Sequence, residues 1–255
     1  MKLKKIALAC AIATGVFGAA SSAHAVPVAL ELALLVDVSG SVDGNEYNLQ
    51  KTGYVNAFND AFIQSRIASL AGGIAVTYIE WASQNQQAQL VGWTHLTDAA
   101  SSSAFATAIQ VTNRAFSGST APGSAINFAT PLFGNNGFEG DRWVIDVSGD
   151  GASNQGATTS AARDAFLNAA GLASVTGTIN GLAIGNATLL AWYNDNIVGG
   201  TNGFALQAAT FADFDGAIRT KLGREINPVP EPATLALLGI GMAGLGALRR
   251  RQQKA

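Results

Sequence analysis

The chain has 255 residues, of which 48% are hydrophobic and only 13% charged. Seven of its 15 lysines and arginines fall in the first 25 or last 23 residues, leaving eight between them against all 17 acids, a balance of −9. That balance argues against nucleic acid or anionic membrane as a partner, since phosphate binding needs clustered Lys and Arg. The one cysteine, Cys10, excludes a disulfide framework.

Met1 to Ala25 reads as a secretory signal. Lys2, Lys4 and Lys5 begin it, Ile6 to Ala20 is apolar, and Ala23-His24-Ala25 sets cleavage after Ala25. Cleavage removes Cys10, so the exported part depends on packing and on any bound metal. Val28 to Val36 is an apolar run broken only by Glu31, as in a strand buried on both faces. Glu46 to Leu70 reads as one long helix, with Tyr47, Tyr54, Phe58, Phe62 and Ile67 near helical spacing. Gly73 to Trp81 and Gln89 to Leu96 read as a hairpin around the polar "ASQNQQA". Ala99 to Val111 and Ser124 to Leu132 read as helices, and Arg142 to Val147 as the next buried strand. A helix over Thr158 to Ala170 and a strand over Val175 to Ile184 follow. Thr188 to Asn194 is a short helix, Phe204 to Ala208 an edge strand, and Phe211 to Arg224 the final helix. This alternation predicts one α/β domain over residues 26–226. Its fold is doubly wound and Rossmann-like: a mostly parallel central sheet flanked by helices, with one short antiparallel edge strand. Ligands of such sheets bind beyond the carboxyl ends of the strands.

Residues 227–232 form a linker ending in Pro230-Glu231-Pro232. An apolar run, Ala233 to Leu248, and Arg249, Arg250 and Arg251 follow within 233–255. Sixteen helical residues span about 24 Å, short of the ~30 Å hydrocarbon core. The arginines would sit on the cytoplasmic side, leaving what precedes them outside. Gly239, Gly241 and Gly244 spell G-x-G-x-x-G, but no strand or βαβ unit surrounds them, so a dinucleotide site is rejected. Pro-Glu-Pro, apolar helix and arginine cluster in this order resemble the PEP-CTERM sorting signal of Gram-negative bacteria. The resemblance implies export partners (signal peptidase and an exosortase) and membrane contact through the C-terminal helix before processing. It also implies a final place in the periplasm, at the cell surface or in an extracellular polysaccharide matrix.

"LLVDVSGSVDG" and "VIDVSGDGASN" share the tetrad Asp-Val-Ser-Gly. Both copies follow apolar runs, which places both in loops past strand ends. Asp37, Ser39 and Ser41 form D-x-S-x-S, whose carboxylate and hydroxyl oxygens suit Mg²⁺, Ca²⁺ or Mn²⁺. They cannot fill a shell of about six oxygens alone. Thr120, in "FSGSTAPGSA", and Asp150, in "VSGDGASN", are the candidates to complete it. Asp146 shares a strand face with Ser148, opposite Ile145 and Val147. It is expected as a buried acid hydrogen-bonded to backbone or hydroxyls rather than as a ligand.

These residues resemble the metal-ion-dependent adhesion site (MIDAS) of the von Willebrand factor A (VWA) domain. The resemblance implies that Ser39, Ser41 and Thr120 touch the metal while Asp37 and Asp150 act largely through water. Mg²⁺ is the first expectation, Mn²⁺ or Ca²⁺ the alternatives. The partner implied is a protein or matrix ligand presenting Asp or Glu. "EYNLQKTGYVNAF", "IEWASQ", "TINGLAI", "WYNDNIVGG" and "FADFDGAIRTKLGREI" extend the likeness from about Ala29 to Ile226. Together they resemble a bacterial branch of the superfamily known as a domain of unknown function.

Enzyme readings are weaker. A dehalogenase-type phosphotransferase wants an aspartate where Ser39 stands. A serine hydrolase needs histidine, and only His95 remains after leader removal; no G-x-S-x-G occurs. Glu80 and His95 end strands without an assigned role, and Trp81 reads as core. No catalytic residue is expected, and metal-dependent hydrolysis over Asp37 and Asp150 is the alternative.

Overall fold

A computed structural model describes residues 25–226. The chain begins with β1 (Val26–Val28), β2 (Leu30–Asp37), α1 (Gly44–Asn59), α2 (Ala61–Ala68), β3 (Ile74–Trp81) and β4 (Gln87–Leu96). Then come α3 (Ala99–Gln110), α4 (Pro122–Ala129), β5 (Phe138–Gly140), β6 (Arg142–Gly149) and α5 (Thr159–Leu172). β7 (Thr176–Ile184), α6 (Ala187–Asn196), β8 (Gly199–Gly200), β9 (Ala205–Ala208) and α7 (Phe214–Ile226) complete it. The main sheet is ordered β4-β3-β2-β6-β7-β8, with β9 also on β7. β2 runs parallel to β3 and β6, β6 to β7, and β7 to β9, while β4 and β8 are antiparallel. This is the expected α/β architecture, a mostly parallel sheet flanked by helices.

Strand alternation divides the core. Leu30, Leu32, Leu34 and Val36 face α1, α2, α3 and α7 with Tyr54, Phe58, Phe105 and Phe214. Ala33 and Leu35 face α4, α5 and α6 with Ile126, Phe166 and Tyr193. Each large apolar side chain taken fully out of water contributes about 1.5–3 kcal/mol, so both helical layers are held chiefly by this burial.

Three local expectations differ from what forms. The long helix over Glu46 to Leu70 is two helices. Asp60 leaves helical geometry at φ −73 and ψ 128, and its carboxylate accepts the Phe62 and Ile63 N–H groups, capping α2. The bend turns Phe62 outward, 53% exposed. The first strand also starts later, because Val28 belongs to β1, which pairs with β5. Glu31 explains that arrangement: its buried carboxylate accepts Gly140 N–H at 2.8 Å, Trp143 Nε1–H at 3.1 Å and an Asn136 amide. Burial raises its pKa, and those three donors oppose the rise. Finally, the second Asp-Val-Ser-Gly is not a loop, since Asp146 to Gly149 form the last residues of β6.

Among the described residues no helix is long and apolar enough to cross a membrane. The signal over Met1 to Ala25 lies, all but its last residue, outside the described residues, as do Pro230, Glu231, Pro232 and the apolar run after them.

Candidate metal centre

Asp37 is the last residue of β2, and Asp150 follows Gly149 at the end of β6. Since β2 and β6 are parallel neighbours, both open onto the same sheet edge. Thr120 arrives from the loop before α4, whose first turn carries Pro122 and whose N-cap, Ala121, offers no side-chain acceptor. The Ser39 N–H donates to Asp37 Oδ1 at 2.7 Å, curling the first loop so that Ser39 Oγ lies 3.1 Å from Ser41 Oγ. Thr120 Oγ1 donates to Ser39 Oγ at 3.4 Å, and Ser41 Oγ donates to Asp150 Oδ1 at 2.7 Å. Asp37, Ser39, Ser41, Thr120 and Asp150 thus stand in one connected cluster. Its exposure is graded: Asp37, Ser39 and Thr120 are buried, Asp150 is half-buried and Ser41 is exposed.

The three loops are tied to one another. Gly40 N–H donates to Gly118 O at 2.7 Å, Asn154 N–H to Thr120 O at 3.0 Å, and Thr120 N–H to Asn154 Oδ1 at 2.9 Å. The β3–β4 turn buttresses them, since Ser119 N–H donates to Ser83 Oγ and Ala121 N–H to Ala82 O. Arg114 is the main clamp. Its Nη2 donates to Val38 O and Ser39 O, both at 2.8 Å, and its Nε to Phe116 O at 2.9 Å. Gln50 Nε2 holds Asp37 O at 3.0 Å from α1. Sequence reasoning missed Arg114, Gln50 and Asn154. One signal did exist: Arg114 is the only charged residue between Asp98 and Glu139.

Whether this cluster fits a cation can be judged from its unsatisfied atoms. Asp37 Oδ2 is buried without a hydrogen-bond partner, and so is Tyr193 Oη beside it. A Cβ on Gly149 would stand 2.6 Å from that carboxylate oxygen and 2.9 Å from the phenol. Burial pushes the Asp37 carboxyl up to about 7, and the Asp150 charge adds to this. The Ser39 N–H, its hydroxyl and Arg114 oppose the rise. A buried acid in that position is stabilised as an anion by a nearby positive charge. Octahedral Mg²⁺ with oxygens at about 2.1 Å places adjacent ligands roughly 3 Å apart. The Ser39–Ser41 and Ser39–Thr120 separations, 3.1 and 3.4 Å, match that edge. Among the described residues no group of three or more His, Cys, Asp or Glu gathers as a metal site. The donors here are hydroxyls and two carboxylates, a set for a hard cation. The residues present fit the group.

The residues left without a role make no side-chain hydrogen bond to the five of that cluster. His95 pairs with Ala75 at the other end of the sheet, its ring nitrogen 2.7 Å from Gly72 O. Trp81 is core. Glu80 is buried, accepts the Ala115 N–H at 2.8 Å, and has its pKa raised by burial. Asp146 is buried as expected, but its contact is neither backbone nor hydroxyl. Lys221 Nζ, brought in by α7, lies 2.7 Å from Asp146 Oδ1.

Residues 27–230 match the model of a family described as "Protein of unknown function (DUF1194)", and residues 228–251 match the PEP-CTERM protein-sorting motif. No curated protein matches the chain. Proximal thread matrix protein 1 from the mussel byssus, solved with a zinc-occupied MIDAS motif, is similar with a TM-score of 0.57 at 15% identity, over 78% of this chain and 46% of that one. The pilus adhesin SpaC from Lactobacillus rhamnosus GG is similar with a TM-score of 0.53 at 14% identity, over 78% and 30%. A mutant of the PilB minor pilin from Streptococcus sanguinis gives 0.52 at 11%, over 80% and 64%. The chain spans less than two thirds of each of these proteins.

Proposed function

The chain belongs to the DUF1194 family, a VWA-like family, and carries a PEP-CTERM sorting motif; from that premise we propose an exported adhesion protein that binds through a divalent cation at the sheet rim. The observation that carries this reading is the meeting of Asp37, Ser39, Ser41, Thr120 and Asp150 in one cluster around a buried, unpaired carboxylate oxygen. Ser39, Ser41 and Thr120 would hold the ion directly, with Asp37 and Asp150 orienting its waters. Mg²⁺ is the first choice, with Mn²⁺ and Ca²⁺ as alternatives. Bound there, the ion supplies one open position for an acidic oxygen of the partner. Neutral hydroxyls on the ion leave it electrophilic, so the incoming carboxylate gains more than it would at a site already crowded with anions. Arg114 holds the Val38 and Ser39 carbonyls and so fixes the backbone from which the Ser39 hydroxyl would reach the ion. The partner is a protein or matrix component presenting Asp or Glu. The mussel matrix protein and the pilus adhesin with this fold support an adhesive role, and the sorting motif supports delivery by an exosortase to the cell surface or matrix.

The test is calorimetry with Mg²⁺ and Mn²⁺ on the wild type and Asp37→Ala. The variant should keep its fold and lose cation uptake, and unchanged affinity would overturn the assignment. Capture of the domain by matrix from the producing bacterium should require the cation and disappear in EDTA. Turnover of ester or phosphoester substrates that is likewise EDTA-sensitive would favour a metal-dependent hydrolase instead.

A further inference from the structure

Beneath the sheet face opposite Tyr193 lies a second polar cluster that the metal reading does not use. Lys221 of α7 is fully buried, with its Nζ 2.6 Å from Glu225 Oε1 and 2.7 Å from Asp146 Oδ1. Glu225 Oε1 also accepts Asn180 Nδ2 at 2.9 Å, and Asn180 is the register partner of Asp146 across β6 and β7. A buried ion pair is expected to satisfy its oxygens with well-directed donors. Here the Lys221–Asp146 approach lacks hydrogen-bond angles, and Asp146 Oδ1, Asp146 Oδ2 and Glu225 Oε2 have no hydrogen-bond partner. The amine is therefore held against one carboxyl group at ion-pair distance without a directed hydrogen bond, out of water, beside a second carboxyl that does accept its N–H. Burial, reinforced by the Asp146 charge, raises the Glu225 carboxyl to about 8, which suits it to take up and release a proton. A cavity of about 60 Å³, lined by Asn180, Glu225 and Arg142 among others, adjoins the cluster and has room for a released water.

We propose that Lys221 and Asp146 condense into an intramolecular amide, with Glu225 carrying the proton. The Lys221 ammonium gives a proton to Glu225, to which it already donates, and the freed nitrogen lone pair attacks Asp146 Cγ. The C–N bond forms, Glu225 passes that proton to one Asp146 oxygen, takes a second proton from nitrogen and passes it to the same oxygen, the C–O bond breaks, and one water leaves. Ammonium plus carboxylate equals amide plus water, so no oxidant, reductant or other reactant is needed. Two features drive the step. Holding the groups in contact replaces a bimolecular encounter, and the product removes two charges from a site that solvates them poorly. The bond closes residues 146–221 into a ring and ties the last described helix to a central strand. An exported adhesin under load or protease attack gains a helix that cannot peel away.

Intact-mass measurement on the purified, folded chain tests this directly, with Lys221→Arg from the same preparation as the reference. The expected wild-type mass is lower by one water after correction for the substitution. A proteolytic digest should contain a single branched species joining the Asp146 peptide to the Lys221 peptide, uncut by trypsin after Lys221. Glu225→Gln, checked for folding by circular dichroism, should slow bond formation by about a hundredfold or more. Wild type at full mass after prolonged incubation, with Lys221 cleaved by trypsin, overturns the proposal. So does a loss of one water without the branched peptide. Equal bond formation in Glu225→Gln overturns the role given to that residue.

Discussion

Gly149→Ala tests the metal centre through a residue that donates nothing to it. The new Cβ would lie 2.6 Å from Asp37 Oδ2 and 2.9 Å from Tyr193 Oη, so the carboxylate must withdraw by roughly 0.8 Å to reach ordinary contact. β6 cannot yield instead, because it is paired on both sides, to β2 and to β7. Overpacking of this kind costs about 1–3 kcal/mol. For a domain of about 200 residues the unfolding entropy is roughly 0.4 kcal/mol per degree, so the metal-free Tm should fall by roughly 2–7 °C. The informative quantity is the rise on adding cation. At a hundred times its Kd a ligand stabilises by about 2.7 kcal/mol, which is roughly 6 °C here. Displacing a group that orients the ion costs about 10–100-fold in affinity. At the same Mg²⁺ concentration the variant should then rise by only about 1–3 °C. Thermal melts in EDTA and in Mg²⁺ give both numbers, and calorimetry checks the affinity. An equal rise in the two proteins would show that the Asp37 carboxylate takes no part in holding the cation.

Arg114→Met removes the clamp on Val38 O, Ser39 O and Phe116 O. It should cost about 2–3 kcal/mol in a urea melt and lower cation affinity about tenfold or more by calorimetry. Asp60→Ala removes the cap that separates α1 from α2, with an expected loss of about 1 kcal/mol and no change in cation affinity. pH offers a further check. Burial raises the carboxyls of Glu31 and Glu80, that of Asp37 to about 7 and that of Glu225 to about 8. The folded state therefore keeps protons that the unfolded chain has released, and stability falls wherever the folded state binds more protons. In EDTA the Tm should be highest at about pH 4–5 and fall as pH rises through about 8, with added Mg²⁺ restoring part of the loss near neutrality. A metal-free Tm that climbs over that range would contradict the burial of these acids.

Much of the fold was legible because its signals are local. Apolar runs bounded by polar turns gave β2, β3, β6 and β7, and the tail and D-x-S-x-S were recognisable from residue order alone. What escaped depends on partners distant in sequence. The break at Asp60 arises because one carboxylate accepts two N–H groups and outweighs the helical periodicity on either side. Glu31 looks like a flaw in an apolar strand until Gly140 and Trp143 stand beside it. Arg114, Gln50 and Asn154 hold the candidate site by bonds to backbone or through their amides, and such bonds leave no spacing pattern in a sequence. Lys221 was hidden for a related reason, since its helix reads as an ordinary amphipathic segment, and its buried ammonium meets Asp146 only once the fold brings α7 against β6.

The two Asp-Val-Ser-Gly tetrads show why the same letters can do different work. β2 and β6 are parallel, with Leu34 opposite Asp146 and Val36 opposite Ser148. Asp37 therefore stands three residues further along its strand than Asp146 does along the neighbouring one. Successive strand residues face opposite sides of a sheet, so an odd offset reverses the face. Asp37 turns towards α4 and α6, at the edge where the strand opens into loops, and meets Gly149, Tyr193 and Ser39. Asp146 turns the other way, towards α1 and α7, well inside the strand, where only another buried side chain can reach it. An even offset would have aimed both acids into one layer, with two anions competing for the same environment. The three-residue shift instead separates them by the thickness of the sheet. One carboxylate keeps an unpartnered oxygen at the rim of the sheet, and the other lies against a lysine inside it.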